Sequence, residues 1–390
     1  TTQGLGRRQR QMCIRDRALN MARDALHFYD QSIPPFILEK VGDDKEVLER
    51  SKAVSEAWKI YMKGLEDLSS RQSFAVGEDG LKQILDTCLC YPKSPDEILE
   101  TAKEASHKTE EKLRALSKRI DSRKGWDVLV YEKRPSITSS SEFMALYENQ
   151  VKDLRRFFYA QEIFSFPHGE DVTVLQTPAY LQSLRATASY SAPLTGNRKS
   201  HGIFYLTPGK EDLAKISAHC PYLSAHETYP GHHILDHLRI HHPNPIRRQV
   251  ESPLFYEGLA CYAEQLLDEL GDVRDLRQQL IRLKRQLWRN LRAELDIKLQ
   301  TGRISLDRAA REIEDLGFSR QRAERQIRRF ALTPGYQLCY FMGNHEIVRL
   351  REQFSSRLGQ RAFHDTLLGG GEIPFHLVEL KLKENLNETG

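Results

Sequence analysis

Along most of the chain, apolar positions recur at helical spacing between runs of charge. Val54, Trp58, Tyr61 and Leu65 fall on one stripe among charged neighbours, which predicts an amphipathic helix. Ser94-Pro95-Asp96-Glu97 reads as a helix start, with Ser94 as N-cap, Pro95 in the first turn and Glu97 placed to complete a capping box. The charged run behind it, to about Ile120, predicts a solvated helix packed along one edge. Further helices are expected over 141–163, from about Pro253, over 272–300, behind the cap Ser305, and over the densely charged 319–329. Strand-like segments are scarce. Residues 171–175 (DVTVL) and Gly202–Leu206 (GIFYL) are short and β-prone, and they flank a Ser/Gly/Pro-rich stretch at 189–200. The pattern predicts a mainly α fold with a small β element.

Composition narrows the possible functions. The 390 residues carry 58 Lys+Arg against 54 Asp+Glu, so the charge nearly cancels, and nucleic acid is not expected as a partner. No run approaches the ~18 apolar residues of a membrane-spanning helix, so no membrane span is expected. Cys13, Cys88, Cys90, Cys220, Cys261 and Cys339 form no CxxC pair and no disulfide framework. Residues 11–17 (QMCIRDR) are what CAG-ATG-TGT-ATA-AGA-GAC-AG(A/G) encodes, a string resembling a transposon adapter used in sequencing libraries. Residues 1–17 are therefore expected to be a non-native scar, and 18–390 a mainly helical domain. Localisation and oligomeric state are left unassigned.

Histidine is the residue whose placement changes the picture. Half of the 14 histidines lie between His219 and His242. At the centre stands His226-Glu227-Thr228-Tyr229-Pro230-Gly231-His232-His233, where a His-Glu pair is followed by further histidines. In zincins, two imidazoles one helical turn apart bind the ion, and the Glu beside the first activates water. Here the spacing is i+6 or i+7. In a straight helix, i+7 lies ~10 Å away and i+6 points to the opposite side. A Pro230-Gly231 bulge that absorbs two residues would make His226 and His232 an effective i, i+4 pair, leaving His233 for a supporting or substrate contact. A helix from Pro253 puts Glu257 and Glu264 seven apart on one face. Glu257 is expected as third ligand, and Glu264 is the alternative that would orient a ligand imidazole from behind. His219, His237, His241, His242, His345, His364 and His376 are expected to be ordinary surface or loop residues.

The runs HETYPGHH, YEGLACYAE and TPGYQLCYFMGNHEI, in that order, resemble the bacterial DUF885 family, with its patterns HExxPGH, EGWAxYxE and PGQAxxYxxG. TPAYLQSLRATASYSAP, NRKSHGIFYLTP and FHDTLLGGGEIPFHLVE extend the likeness over about 170–380. The resemblance implies a helical zincin-like metallopeptidase domain with the β element beside an active-site cleft, similar in broad shape to the neurolysin and carboxypeptidase Taq groups. It also implies zinc as cofactor, with His226, His232 and Glu257 as ligands and Glu227 as general base. Family members are usually longer, which implies that an N-terminal portion is missing. Two departures stand out: Leu259 occupies the Trp position of EGWA, and Tyr336 the Gln position of PGQA.

The implied reaction is hydrolysis of a peptide substrate. Zinc would lower the pKa of water towards ~7, and Glu227 would take the proton and pass it to the leaving amine. Tyr340 is the candidate donor to the oxyanion, with Tyr336 behind it. Arg198 and Arg329 are candidates for holding a substrate carboxylate. The edge of Gly202–Leu206 is a candidate for pairing with an extended peptide. The competing readings are a zinc hydrolase of another amide or ester, and a non-catalytic helical binding protein.

Overall fold

The computed structural model describes residue 15 and residues 18–68, 73–178, 181–182, 185–193, 201–208 and 212–389. Apart from Arg15, the expected scar at 1–17 lies outside these residues, as does Arg198. The longer helices are α1 (Lys45–Asp67), α2 (Pro95–Ile120), α3 (Ser140–Gln161), α4 (Cys220–Glu227), α5 (His232–Ile240), α6 (Pro253–Glu269), α7 (Leu276–Gln300), α8 (Leu306–Glu314), α9 (Arg320–Leu332), α10 (Cys339–Leu358), α11 (Gln360–Gly369) and α12 (Phe375–Thr389). A three-stranded sheet, β1 (Val172–Gln176), β2 (Ala188–Ser191) and β3 (Gly202–Leu206), sits between α3 and α4 in the chain. The fold is mainly helical, as the periodicity predicts. Among the described residues no helix is long and apolar enough to cross a membrane.

Helix starts follow local chemistry. Ser94 accepts from the Glu97 amide while the Glu97 carboxylate accepts from the Ser94 amide, the reciprocal box that removes two orphan donors. Ser252, Asp275, Ser305 and Ser319 each cap the helix that follows them. The stripe on α1 behaves differently from expectation. Val54 and Tyr61 are exposed, and the buried residues of that helix are Ser51 and Ser55. The Ser51 hydroxyl donates to the Tyr29 carbonyl, so α1 rests on the preceding 28–40 segment through its small polar side.

The sheet corrects two expectations. The Ser-rich segment after Thr187 is not all loop, because Ala188–Ser191 forms β2. β3 is also the central strand, parallel to β1 (Val172↔Gly202) and antiparallel to β2 (Ala188↔Leu206). Both of its edges are taken, so it has none to offer a peptide. β3 buries Gly202, Phe204 and Leu206, and Phe204 meets Tyr147 of α3 edge-on at 5.9 Å.

α6 and α10 form the centre of the molecule and touch backbone to backbone. A Cβ on Gly343 would overlap the Leu254 carbonyl oxygen and lie 2.7 Å from the Gly258 Cα. A Cβ on Gly258 would lie 2.8 Å from the Asn344 amide nitrogen. Glycine is required at both positions because the helices approach too closely for any side chain. α7 runs beside them and packs along α2. Its C-terminal part forms a second, smaller core with α8 and α9 through Leu295, Leu299, Ile313, Ile327 and Phe330.

Asp296 of α7 is fully buried and holds the turn before α10, accepting from the amides of Gly335 (3.3 Å) and Gln337 (2.9 Å). Burial pushes its carboxyl up to about 7 in spite of these bonds. The folded chain therefore holds this proton more tightly than the unfolded chain, whose Asp titrates near ~3.9. The stability it contributes is complete below about pH 4 and is lost as pH rises through about 7. Urea unfolding across pH 4–8 should show this decline, and Asp296→Asn should flatten it. At the helix crossing, Gly343→Ala should cost about 3 kcal/mol by overpacking. Gly64→Ala, inside α1 with nothing within 4 Å of the added Cβ, should instead stabilise by about 0.5–1 kcal/mol. Thermal melts of the two variants read the contrast.

Candidate metal centre

Histidines 226 and 232 reach one place because the helix that carries them breaks. α4 ends at Glu227 and α5 begins at His232, so the expected bulge within a continuous helix is instead a full interruption, with Tyr229–Pro230 in cis. The Gly231 amide donates to the Ala225 carbonyl at 3.1 Å, closing a bond over six residues where a helix closes one over four. Two residues are thereby taken up, and the chain re-enters helix with the His232 ring edge-on to His226, centroids 4.8 Å apart. A Cβ on Gly231 would overlap the carbonyl oxygens of Ala225 and His226, so only glycine fits the turn.

The third member comes from α6. His226 Nε2 lies 3.6 Å and His232 Nε2 3.7 Å from Glu257 Oε2, and one ligand atom from each of the three residues falls within 4.8 Å of the others. Three ligands ~2.0–2.1 Å from a tetrahedral ion stand about 3.3–3.4 Å apart. The cluster is thus slightly wider than a filled site and needs only small side-chain adjustment. Two neutral imidazole nitrogens and a carboxylate form a donor set suited to zinc. All three side chains are buried, and His232 Nδ1 has no hydrogen-bond partner.

Supporting groups fix each of these side chains. Tyr256 stacks on His232 with centroids 3.8 Å apart and planes at 13°, and its hydroxyl donates to Asp236 at 2.9 Å. Glu264, two turns after Glu257, puts Oε1 3.0 Å from His226 Nδ1, at an angle too oblique for a regular hydrogen bond. Glu264 is itself gripped by Arg285 (2.9 and 2.7 Å) and Arg289 (2.9 Å, with a second bond through Nη2). Glu264 thus meets the His226 ring from behind, on the side away from Glu257. Tyr336 donates its hydroxyl to Glu257 Oε1 at 2.7 Å. The Tyr340 phenol lies close enough to Glu257 to help hold its carboxyl down.

Glu227 is buried, and its Oε2 accepts the Tyr190 amide of β2 at 2.8 Å. Burial raises its carboxyl above the usual range, with the nearby Glu257 charge adding to the effect. At Glu257, burial is outweighed by His226 and His232, and the carboxyl lies far below its usual range. Burial also opposes protonation of His226, but the neighbouring Cys261, Glu257 and Glu264 outweigh it and raise that imidazole well above its ordinary value. His232, pushed down to about 3 by burial and then by the His226 charge, is neutral.

His233 faces away from the cluster. Its Nε2 lies 3.0 Å from Glu170 Oε2 and its Nδ1 3.3 Å from the Tyr190 hydroxyl. Glu170 also accepts from Tyr229 at 2.5 Å and Arg155 at 2.7 Å. Of the two contacts allowed for His233, the structure gives a supporting one: its ring ties the interhelical turn to the sheet. His364, expected at the surface, is buried on the Tyr262 hydroxyl at 2.8 Å. The spacing reading missed the Tyr190 amide, the Tyr256 stack and the Arg285/Arg289 pair. Only the arginines had a signal, being four apart on a helix and able to meet a buried carboxylate.

Comparison with known structures places the fold. The chain superposes on the "putative lipoprotein" from Colwellia psychrerythraea with a TM-score of 0.75 at 21% identity, covering 92% of this chain and 63% of that one. It superposes on a "putative lipoprotein of unknown function" from Shewanella oneidensis with a TM-score of 0.73 at 18% identity, covering 95% of this chain and 73% of that one. The chain thus spans under two thirds of the Colwellia protein's length, and at these identities the likeness is one of fold. Comparison with curated proteins finds no match. The profile of the family described as "Bacterial protein of unknown function (DUF885)" matches residues 12–382, nearly the whole length, and the chain belongs to that family.

Proposed function

We propose that the chain is a zinc-dependent peptidase of zincin-like build. The observation that carries this is the convergence of His226 Nε2, His232 Nε2 and Glu257 Oε2 beside a buried carboxylate, Glu227, that a backbone amide holds in place. Zinc, when bound, would supply Lewis acidity, polarising the scissile carbonyl and easing the ionisation of water.

The chain's own groups do the rest. Glu227 has one oxygen occupied by the Tyr190 amide, so its other oxygen takes the proton from water and returns it to the leaving amine. Burial raises the phenols of Tyr336 and Tyr340, and the Glu257 charge adds to this, so both remain proton donors at neutral pH. Tyr340 is assigned the developing oxyanion, and Tyr336 holds Glu257 in its ligating position. Since β3 is enclosed, an extended peptide would pair with the outer edge of β2, whose Tyr190 amide already points towards Glu227.

Metal analysis of the purified chain should find about one zinc per molecule. Glu227→Gln should keep that zinc and lose roughly 10²–10⁴-fold in kcat on a peptide panel. Bound zinc with unchanged hydrolysis in this variant rejects Glu227 as the base. The two tyrosines should separate. Tyr340→Phe should lower kcat by about 10²-fold with zinc affinity nearly intact. Tyr336→Phe should weaken zinc binding by about 10–100-fold, read by competition with a chelator.

A further inference from the structure

α7 carries arginines at 282, 285, 289 and 292, a 3-4-3 spacing that keeps all four on one face. Three of them are paired with carboxylates. Arg282 pairs with Asp268, and Arg285 and Arg289 share Glu264. The fourth is not. Among the described residues no carboxylate lies within ion-pair distance of Arg292. Its Nε and Nη2 both converge on the neutral Gln337 Oε1, at 3.1 and 2.6 Å. Asp296, one turn further along α7, spends its oxygens on the Gly335 and Gln337 amides.

The location of this charge gives it meaning. The Arg292 guanidinium carbon lies 3.7 Å from the centroid of the Tyr340 ring, stacked on the residue whose phenol reaches Glu257. Gln337 and the ring hold the guanidinium plane, while Nη1 has no protein acceptor and is not sealed from solvent. A second guanidinium, Arg329 in the last turn of α9, is exposed, has no carboxylate partner among the described residues and is close enough to act on the Tyr340 phenol. A fixed, half-used guanidinium fork is suited to carboxylate recognition, because the fork is already oriented and needs only an acceptor.

We propose that Arg292, supported by Arg329, binds a carboxylate of the substrate one aromatic ring away from the candidate metal centre. This deepens the peptidase reading and rests on it for the site's identity. It makes the preferred substrate a peptide that presents a negative charge next to the bond cleaved, either its free C-terminus or an acidic side chain.

Binding tests this separately from turnover. Fluorescence anisotropy is read on the full chain, as purified and again after dialysis against a chelator, in the Glu227→Gln background. The probes are fluorescein-labelled tetra-alanine with a free C-terminal carboxylate, the same peptide amidated, and an amidated form with Glu as its last residue. At least one carboxylate peptide should bind ten-fold or more tighter than the neutral amide, and which one does so identifies the source of the charge. Arg292→Gln should remove that preference, and Arg292→Lys, which keeps the charge without the fork, should retain part of it. Equal binding of all three peptides, or a preference that survives Arg292→Gln, overturns the proposal. The comparison among peptides on the Arg292 chain stands even if a variant fails to fold. A chain that prefers carboxylates yet cleaves no peptide keeps this inference and sinks the peptidase reading.

Discussion

The structure depends on neutralising two carboxylates that α6 buries on one face. Glu257 and Glu264 are seven residues apart and almost fully enclosed, and an unpaired carboxylate in such surroundings would cost several kcal/mol. Glu264 is matched by two arginines from α7, each offering a planar fork. Glu257 is matched by imidazoles arriving from the broken α4–α5 helix. Glu264 also lies against His226 Nδ1, and its negative charge favours a proton at that nitrogen. With that proton held at Nδ1, Nε2, which faces Glu257, is the nitrogen left to give up its proton to a cation.

The close crossing of α6 and α10 follows from the same demand. Tyr336 and Tyr340 stand at the start of α10, and Glu257 is next to Gly258, where the two helices meet without side chains between them. A larger residue at Gly258 or Gly343 would separate the helices and withdraw the phenols from Glu257. The buried Asp296 works at the other end of this arrangement, fixing the backbone of the turn that carries Tyr336 and Gln337. Packing and polar contacts thus constrain one another: the glycines set how near α10 comes, and Asp296 sets how its first residues are aimed.

Much of this was legible along the chain, for identifiable reasons. Caps such as Ser94, Ser252 and Ser305 act over three or four residues, so their signal is local. The Glu257/Glu264 spacing is set by helical geometry alone. The gathering of His226 and His232 was legible from Pro230-Gly231, although the device is a break and not a bulge. What escaped is non-local. β2 is four residues, Ala-Ser-Tyr-Ser, too short for its alternation to stand out, and its place beside β3 depends on partners 12–18 residues away. Strand order, which hides the edges of β3, leaves no trace in a strand's own residues. The donor that holds Glu227 is a backbone amide, and every residue but proline has one. The α1 stripe misled because periodicity reports a helix without reporting what covers it.

Gly231 explains why an i+6 spacing can do the work of i+4. The Gly231-to-Ala225 hydrogen bond requires the turn backbone to lie directly against the last carbonyls of α4, where any Cβ would collide. Without that approach the two extra residues could not be folded away, and His232 would emerge on the far side of the helix. The insertion also gives the chain something an unbroken helix lacks. The excluded residues carry Tyr229 outward to Glu170, and His233 follows it, so the turn is bolted to the segment that enters β1. Through the Tyr190 hydroxyl the same network reaches β2, whose amide fixes Glu227. His226, Glu227 and His232 are thereby referred to one frame, with α4 and α5 tied through the turn to the sheet, while Glu257 joins them from a third helix, α6.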